Sequence, residues 1–535
     1  MISRDKVMLA VLSCVTLLIA LKLVDIQMGI GIYYWDIFLY VNNAMRMAHL
    51  GPADTLYLSP FFPAVLSVLF RLGLTGEPTV FSAAAAFYIA GVTGLYLLLR
   101  LRFSEMESLA GSISFASFSI ILSWAATGAL DVPAASLSIW AVYLALLGRR
   151  KDPRFYCLAL PVAMAAFLTR YTSGLMLLPL AIIIFTDPEF RSKLGELLAG
   201  TGLGILLYLP FAYFFYRNVK TPFPFLKQAA GTATGSATSI NPGYSLDPLY
   251  YLKHFPEYIS ALPSQDYLHV INPSIAGPTA VAFIIIGSLL AGMAILLWNN
   301  RDLASMTGLR EKVLFILLSI LMVATFGRVS FVVSEIILLL WALSVARMAG
   351  DRENTDMNLA MAVWFLSYLF MHSFHPVKVD RYLITVMPAV AYGISLSIRE
   401  TAGIIRWKHA SDVLSALVAL LMLTSAINYL AGMPDSYGIV EAEKEAAAWL
   451  MEHDPAYSER IIASDRGSAF TWYLGKYVFT RKMHPDRMEL CIEYFRDLNP
   501  DYYIYWTDET PLPSGYRVIY SRRGVAVAER MNMTG

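Results

Sequence analysis

Apolar runs recur along the whole chain, separated by short polar stretches. Each is close to the ~20 residues a helix needs to cross a ~30 Å hydrocarbon core. Read through a ~19-residue hydropathy window, they predict about thirteen transmembrane helices. These fall at 7–24, 79–99, 107–124, 132–147, 155–168, 172–185, 194–216, 278–298, 313–326, 330–346, 357–374, 382–398 and 412–430. The predicted fold is therefore a polytopic α-helical membrane protein.

The polar stretches test that division, because short cytoplasmic loops collect Lys and Arg. Alternate loops do so: Arg4 and Lys6; Arg100 and Arg102; Arg149, Arg150, Lys151 and Arg154; Arg191 and Lys193; Arg301, Arg310 and Lys312; Arg347 and Arg352; Arg399, Arg406 and Lys408. The opposite short loops hold isolated cations, namely Arg170, Arg328, Lys378 and Arg381. A multi-pass protein of the cell membrane with a cytoplasmic N-terminus follows, and an odd number of spans puts the tail outside. The first apolar run has a basic start but lacks a small-x-small cleavage site after a short core, so it reads as a retained span. The segment "SPFFPAVLSVLFRLG" (59–73) is too short to span comfortably and is bounded by prolines. It is expected to lie in the outer interface as a helix, since counting it as a span would put every later basic loop outside.

Two domains are expected. Residues 1–432 form the membrane domain, with outer loops 25–78 and 217–277, and 433–535 form an extracytoplasmic α/β domain. In the tail, "EAEKEAAAWLMEH" and "HPDRMELCIEYFRDL" read as helices and "SAFTWYLG" as a helical turn or two. "RIIAS" and "DYYIYW" read as strands, and "YRVIYSRRGVAVAER" as a two-stranded hairpin. The second outer loop contains "GTATGSATS". It has no following Lys and no strand–helix setting for a phosphate loop, and it reads as a mobile lid or as plain disorder.

Composition agrees: 57% of the 535 residues are hydrophobic and 15% charged. Lys+Arg number 41 against 40 Asp+Glu, so nothing favours nucleic acid as a partner. Cys14, Cys157 and Cys491 lie far apart, with neither metal-ligand spacing nor a disulfide framework.

Charges at the outer ends of spans carry the candidate chemistry, because ionisable groups at membrane depth are costly and are paired or functional. Asp36 stands in "GIYYWDIFLYVNNAMRMAHLGP" beside Tyr34 and near Tyr40. It can cap the helix that follows, act chemically, or do both. Asp131, in "TGALDVPAASL", precedes a Val-Pro helix start on the same side, where capping is again an alternative. Arg170, in "FLTRYTSG", occupies a tight outer loop and is expected to pair with an acid or to meet a ligand. "MHSFHPVKVDRYLITVMPA" (371–389) concentrates His372, His375, Lys378, Asp380, Arg381 and Tyr382. His372 and His375 have a metal-like spacing but no identifiable third ligand. Lys378 and Arg381 suit a phosphate, with lipid-headgroup anchoring as the alternative. Glu335, inside a span, is expected to pair with Arg328. Two carboxylates, several cations and aromatic rings at one face match what transfer from a lipid phosphate requires. A carboxylate takes the acceptor's proton, and cations stabilise the departing phosphate.

In order along the chain stand the acid after span one, the proline-bounded segment, "ALDVPA", "LTRYTSGLMLLP" and "KVDRYLITVMPA". This succession resembles the GT-C superfamily of polyprenyl-phosphate-sugar-dependent glycosyltransferases, within it the branch of protein O-mannosyltransferases and lipid A aminoarabinose transferases. The resemblance implies a GT-C-like membrane domain and an inverting transfer of a hexose or pentose from a polyprenyl (dolichyl-type) monophosphate on the outer face. The acceptor would be a protein, lipid or glycan. Asp36 matches the first-loop acid and Asp131 the second; Arg170, Lys378 and Arg381 match donor-phosphate positions. Tyr34, Tyr40, His375 and Tyr382 are possible substrate contacts. Asp36 is followed by Ile37 where the family often has Asp-Glu, which argues against a second acid there. The first loop also lacks an Asp-x-Asp pair, unlike metal-dependent oligosaccharyltransferases, so no obligatory metal or cofactor is expected. Residues 313–346 look like an added hairpin. A flippase or transporter for a lipid-linked sugar is the rival, but it would call for mid-bilayer ionisable groups and repeat-related broken helices.

Overall fold

The computed structural model describes residues 4–52, 56–234, 247–264, 276–301, 308–350, 354–405, 407–482 and 488–531. The chain forms two compact units. One comprises Met1–Val24 with Ser82–Met433, the other Asp25–Phe81 with Pro434–Gly535. Thus the aromatic segment after the first span packs with the tail.

Among the described residues, nine helices are long and apolar enough to cross a membrane, from Arg4–Ile30 to Ala410–Gly432. The other four predicted apolar segments are also helical: Glu105–Ser117 with Ser119–Leu122, Pro153–Thr169, Tyr171–Phe185 and Leu309–Thr325. The first of these breaks at Phe118, whose backbone is extended. Just beyond the break, the Ser119 hydroxyl accepts a hydrogen bond from the Ala261 N–H at 2.7 Å, tying the segment before helix Ala280–Asn299 into the bundle. Residues 59–73 form one helix, Phe61–Arg71, too short to span.

Small residues let the site-bearing helices approach closely, as expected where lipid supplies no hydrophobic drive between helices. A Cβ on Gly91 would sit 2.2 Å from Ser136 Oγ, and one on Gly200 would sit 2.4 Å from the Tyr156 carbonyl oxygen. Glycine at these places presses two helices, Asp131–Arg150 and Tyr156–Thr169, against their neighbours.

Within the membrane unit the basic residues gather at one end. Asp5 accepts from Arg100 at 2.8 Å and Arg4 pairs with Asp412 at 3.0 Å. Arg399 pairs with Glu107 at 3.3 Å, while Arg149 and Arg150 converge on buried Asp356 at 3.1 and 2.7 Å. A cavity of about 440 Å³ opens beside Arg149, Arg150 and Asp356. Helix Asp131–Arg150 ends there and begins at the opposite end with Asp131, so its 20 residues separate the basic network from the candidate chemistry.

In the second unit, a five-stranded sheet comprises β1 (Ile462–Ser464), β2 (Phe479–Thr480), β3 (Tyr502–Trp506), β4 (Tyr516–Arg522) and β5 (Val525–Arg530). The order is β2-β1-β3-β5-β4, with β1 parallel to β2 and β3 and the rest antiparallel. Arg523 and Gly524, both at positive φ, make the tight turn between β4 and β5. Helix Gly438–His453 and helix Gly467–Leu474 cover one face over a core that includes Leu450, Phe470 and Ile504. The two-residue β2 was not anticipated, being too short to show an alternating pattern.

Arg466 ties the first outer segment to this unit. Its guanidinium donates to Glu443 at 2.9 Å and to the Tyr33 carbonyl at 3.0 Å. It lies 5.8 Å from the ring centres of both Trp35 and Phe38, and 4.7 Å from that of Trp506. Rings from the first loop and the tail therefore surround one cation. Asn42 adds a 2.9 Å bond to the Ser468 carbonyl.

Candidate functional site

Helices Asp131–Arg150 and Tyr156–Thr169 form an antiparallel hairpin, which brings the start of the first to the end of the second. Asp131 is the first residue of its helix and is fully buried; Leu130, not Asp131, is the N-cap. Arg170 is the C-cap of its helix, with extended backbone, and its Nε donates to Thr172 Oγ1 at 3.0 Å. The two side chains form an ion pair through Arg170 Nη1 and Asp131 Oδ1. A third partner arrives from far along the chain: Arg381 Nη1 lies 3.8 Å from Asp131 Oδ2, beyond hydrogen-bond distance but within an ion pair. One carboxylate thus faces two guanidiniums, leaving a net positive charge at helix ends away from the basic network.

Each guanidinium rests on an aromatic ring. Arg170 lies 4.8 Å from the Tyr382 ring centre, and Arg381 lies 5.3 Å from that of Trp124. Stacking of this kind fixes a planar fork without using its in-plane donors. Trp124 is fully buried and was not among the expected site residues. Its place seven residues before Asp131, at the end of an apolar run, is the signal that would have pointed to it.

Lys378 is buried and donates to the carbonyls of His372, Ser373 and His375 at 2.9, 2.7 and 2.6 Å. All three donors of its ammonium cap the end of helix Thr355–Phe374. The neighbouring loop is held by tyrosines from residues 250–258. The Asp380 carboxylate accepts from the Tyr258 and Tyr250 hydroxyls at 2.5 and 3.1 Å. Tyr251 Oη accepts from the Val379 N–H at 3.1 Å. The sequence reading passed over these tyrosines, whose clustering in "LYYLKHFPEY" is the available clue. Most of "GTATGSATS", on which the lid expectation rests, lies outside the described residues.

Burial pushes the Lys378 ammonium down to about 8. Below that pH it holds three carbonyls; above it the neutral amine has two N–H groups. Site-dependent activity is therefore expected to fall as pH rises through about 8. In a Lys378→Met variant, which lacks the titrating group, the residual activity should be flat across that range. A pH–rate series on both proteins checks this.

His375 Nδ1 accepts from the Val377 N–H at 3.2 Å, and burial lowers its basicity. His372 stacks between Tyr368 and Tyr382, with ring centres 6.0 and 5.2 Å away. Glu335 and Arg328 form no ion pair: both Glu335 carboxyl oxygens are buried and without a hydrogen-bond partner among the described residues. Arg328 lies in the turn before helix Phe331–Ala349, whereas Glu335 is buried one turn into that helix.

Asp36, Tyr34 and Tyr40 belong to the second unit. Tyr34 is the N-cap of helix Trp35–Ala48, so the acid does not cap it; Asp36 lies half-buried in the first turn. There the helix's positive N-terminal end favours a carboxylate. Tyr34 is half-buried and Tyr40 buried. The structure thus joins Asp131, Arg170, Arg381 and Tyr382 directly, with Lys378 and His375 in the adjoining loop.

Residues 58–215 match the family described as dolichyl-phosphate-mannose-protein mannosyltransferase. That stretch includes Asp131 and Arg170. No curated protein sequence matches the chain. Among solved structures, ArnT from Cupriavidus metallidurans bound to undecaprenyl phosphate is similar at a TM-score of 0.63 and 13% identity, covering 97% of each chain. The apo state of the same protein gives 0.62 and 13%, covering 98% of each. An oligosaccharyltransferase from Archaeoglobus fulgidus gives 0.49 and 14%, covering 97% of this chain and 74% of that one. The chain thus has the fold of ArnT over nearly its whole length, and its match to the mannosyltransferase family is confined to residues 58–215.

Proposed function

We propose that the protein is an inverting glycosyltransferase that moves a sugar from a polyprenyl monophosphate to a protein, lipid or glycan acceptor on the outer membrane face. The observation that carries this reading is the buried Asp131–Arg170–Arg381 cluster, in which one carboxylate orients two ring-stacked guanidiniums. A net cationic, preorganised fork suits an anion whose charge grows during reaction. The undecaprenyl phosphate bound in the ArnT structure supports a lipid phosphate as that anion.

The acceptor oxygen or nitrogen attacks the anomeric carbon as its bond to the phosphate oxygen breaks. The electron pair leaves with the phosphate, which Arg170 and Arg381 stabilise. Asp36 takes the acceptor's proton. A phosphate needs no protonation to leave, so a single base suffices. Asp131 holds the guanidiniums, and Lys378 contributes charge while fixing the loop that carries Arg381. The alternation of basic loops supports a cytoplasmic N-terminus and an outer location for the cluster.

Purified protein in liposomes, supplied with labelled polyprenyl-phosphate sugars and a panel of acceptors, tests the proposal. Label joined covalently to an acceptor is the expected result. Movement of intact donor across the bilayer without transfer would replace the reading with a flippase.

A further inference from the structure

Beside the guanidinium cluster lies a set of buried polar atoms that the proposed chemistry does not use. These atoms are Ser173 Oγ, both Glu335 carboxyl oxygens, Tyr368 Oη and His372 Nε2; the two hydroxyls bond to each other, while the carboxyl oxygens and Nε2 lack partners among the described residues. Their residues are almost fully buried, at 2%, 6%, 0% and 2% exposure respectively. Three backbone elements bring them together. Ser173 is in the turn Tyr171–Met176 that follows Arg170. Glu335 is one turn into helix Phe331–Ala349, and Tyr368 and His372 are in the last two turns of helix Thr355–Phe374.

Those two helices are consecutive and packed together, so the start of one adjoins the end of the other. Glu335 lies on the helix face that also carries Leu338 and Ala342, which pack against Leu359 and Val363 of the partner helix. Its carboxylate therefore points into protein. The Tyr368 hydroxyl hydrogen-bonds Ser173 and lies within electrostatic reach of Arg170 and Glu335. A ring chain Tyr368–His372–Tyr382 then leads to the Arg170 guanidinium, with centre distances of 6.0, 5.2 and 4.8 Å.

Buried polar atoms in native proteins are satisfied by some partner, and three orphans beside a hydroxyl pair call for a ligand that supplies it. A carboxylate repels phosphate, and an isoprenoid tail would leave the three orphans unsatisfied. A neutral ring bearing several hydroxyls satisfies them: carboxylate oxygens accept from hydroxyls, while Tyr and Ser hydroxyls donate or accept as needed. We propose that Ser173, Glu335, Tyr368 and His372 bind the sugar of the donor, adjoining the guanidiniums that bind its phosphate, with Glu335 the main determinant of which sugar is accepted. This rests on the donor reading above. It also gives a use to the helix pair 309–349, which looked like an addition to the family plan.

The test uses the full chain in lipid nanodiscs, with decaprenyl phosphate and its mannosyl, glucosyl and arabinosyl esters as probes. Wild type is expected to bind at least one ester more tightly than the bare lipid phosphate. Glu335→Gln should reduce that preference about tenfold, the scale of one hydrogen bond to a charged group. Affinity for bare phosphate should stay unchanged. Tyr368→Phe, which keeps the ring, should reduce the preference in the same direction. Unchanged preference in both variants, or no preference in wild type, overturns the sugar recess while bare-phosphate binding leaves the donor reading standing. Absence of bare-phosphate binding in wild type overturns both. A fall in both affinities together with a lower melting temperature in both variants assigns these residues a structural role and also overturns the recess.

Discussion

Asp36→Asn is expected to slow sugar transfer by about 10²–10⁴-fold, the usual contribution of a general base. The substitution keeps the side chain's size and removes its ability to take a proton. Asp36 lies in a first helical turn that Tyr34 caps, so the helix does not depend on Asp36 as its cap. Melting temperature and affinity for polyprenyl phosphate should therefore stay near wild type. Steady-state transfer with saturating donor and acceptor measures the effect in kcat. Wild-type rates in the variant would remove Asp36 from the mechanism, and a loss confined to melting temperature would make it structural.

Asp131→Ala has the second large expected effect, and the effect is on stability. The carboxylate is fully buried against Arg170 and Arg381. Its removal leaves the buried Arg381 and half-buried Arg170 guanidiniums without their shared anion, a change that typically costs about 3–5 kcal/mol. The sign of a second substitution distinguishes this from simple cavity formation. Adding Arg170→Met to Asp131→Ala removes one of the two repelling charges and should recover part of the loss. Thermal unfolding of the single and double variants in the same detergent checks it. A double variant less stable than Asp131→Ala alone would show that charge balance is not what the aspartate supplies. Polyprenyl phosphate should raise the melting temperature of Asp131→Ala more than that of wild type, because the lipid then supplies the missing anion.

Much of the fold was legible because lipid imposes a strict length and polarity on each crossing. All thirteen apolar segments lie on helix, nine of them long enough to span. The alternation of basic loops anticipated the two ends of the membrane unit, since loop charge reports the end of each span independently of packing. Asp131, Arg170 and Arg381 were each legible as charges at the ends of apolar segments away from the basic loops. Their union was not, because Asp131 and Arg381 are 250 positions apart and only helix packing brings them together. The same holds for Trp35 and Phe38, whose cation lies in the tail at Arg466. Local reasoning also failed where two groups competed for one role. Tyr34 caps the helix assigned to Asp36, and the Lys378 ammonium is spent on three carbonyls where a phosphate was expected. Glu335 was set aside as half of a local pair, and the structure leaves it buried without one.

The central claim is that Arg170 and Arg381 hold the phosphate of a lipid-linked donor. A cryo-electron microscopy structure of the full chain with decaprenyl phosphate tests it most directly. The account requires phosphate density within hydrogen-bonding reach of both guanidiniums, with Asp131 still between them. Density at the basic end beside Arg149 and Arg150, or bound lipid that touches neither Arg170 nor Arg381, would contradict it.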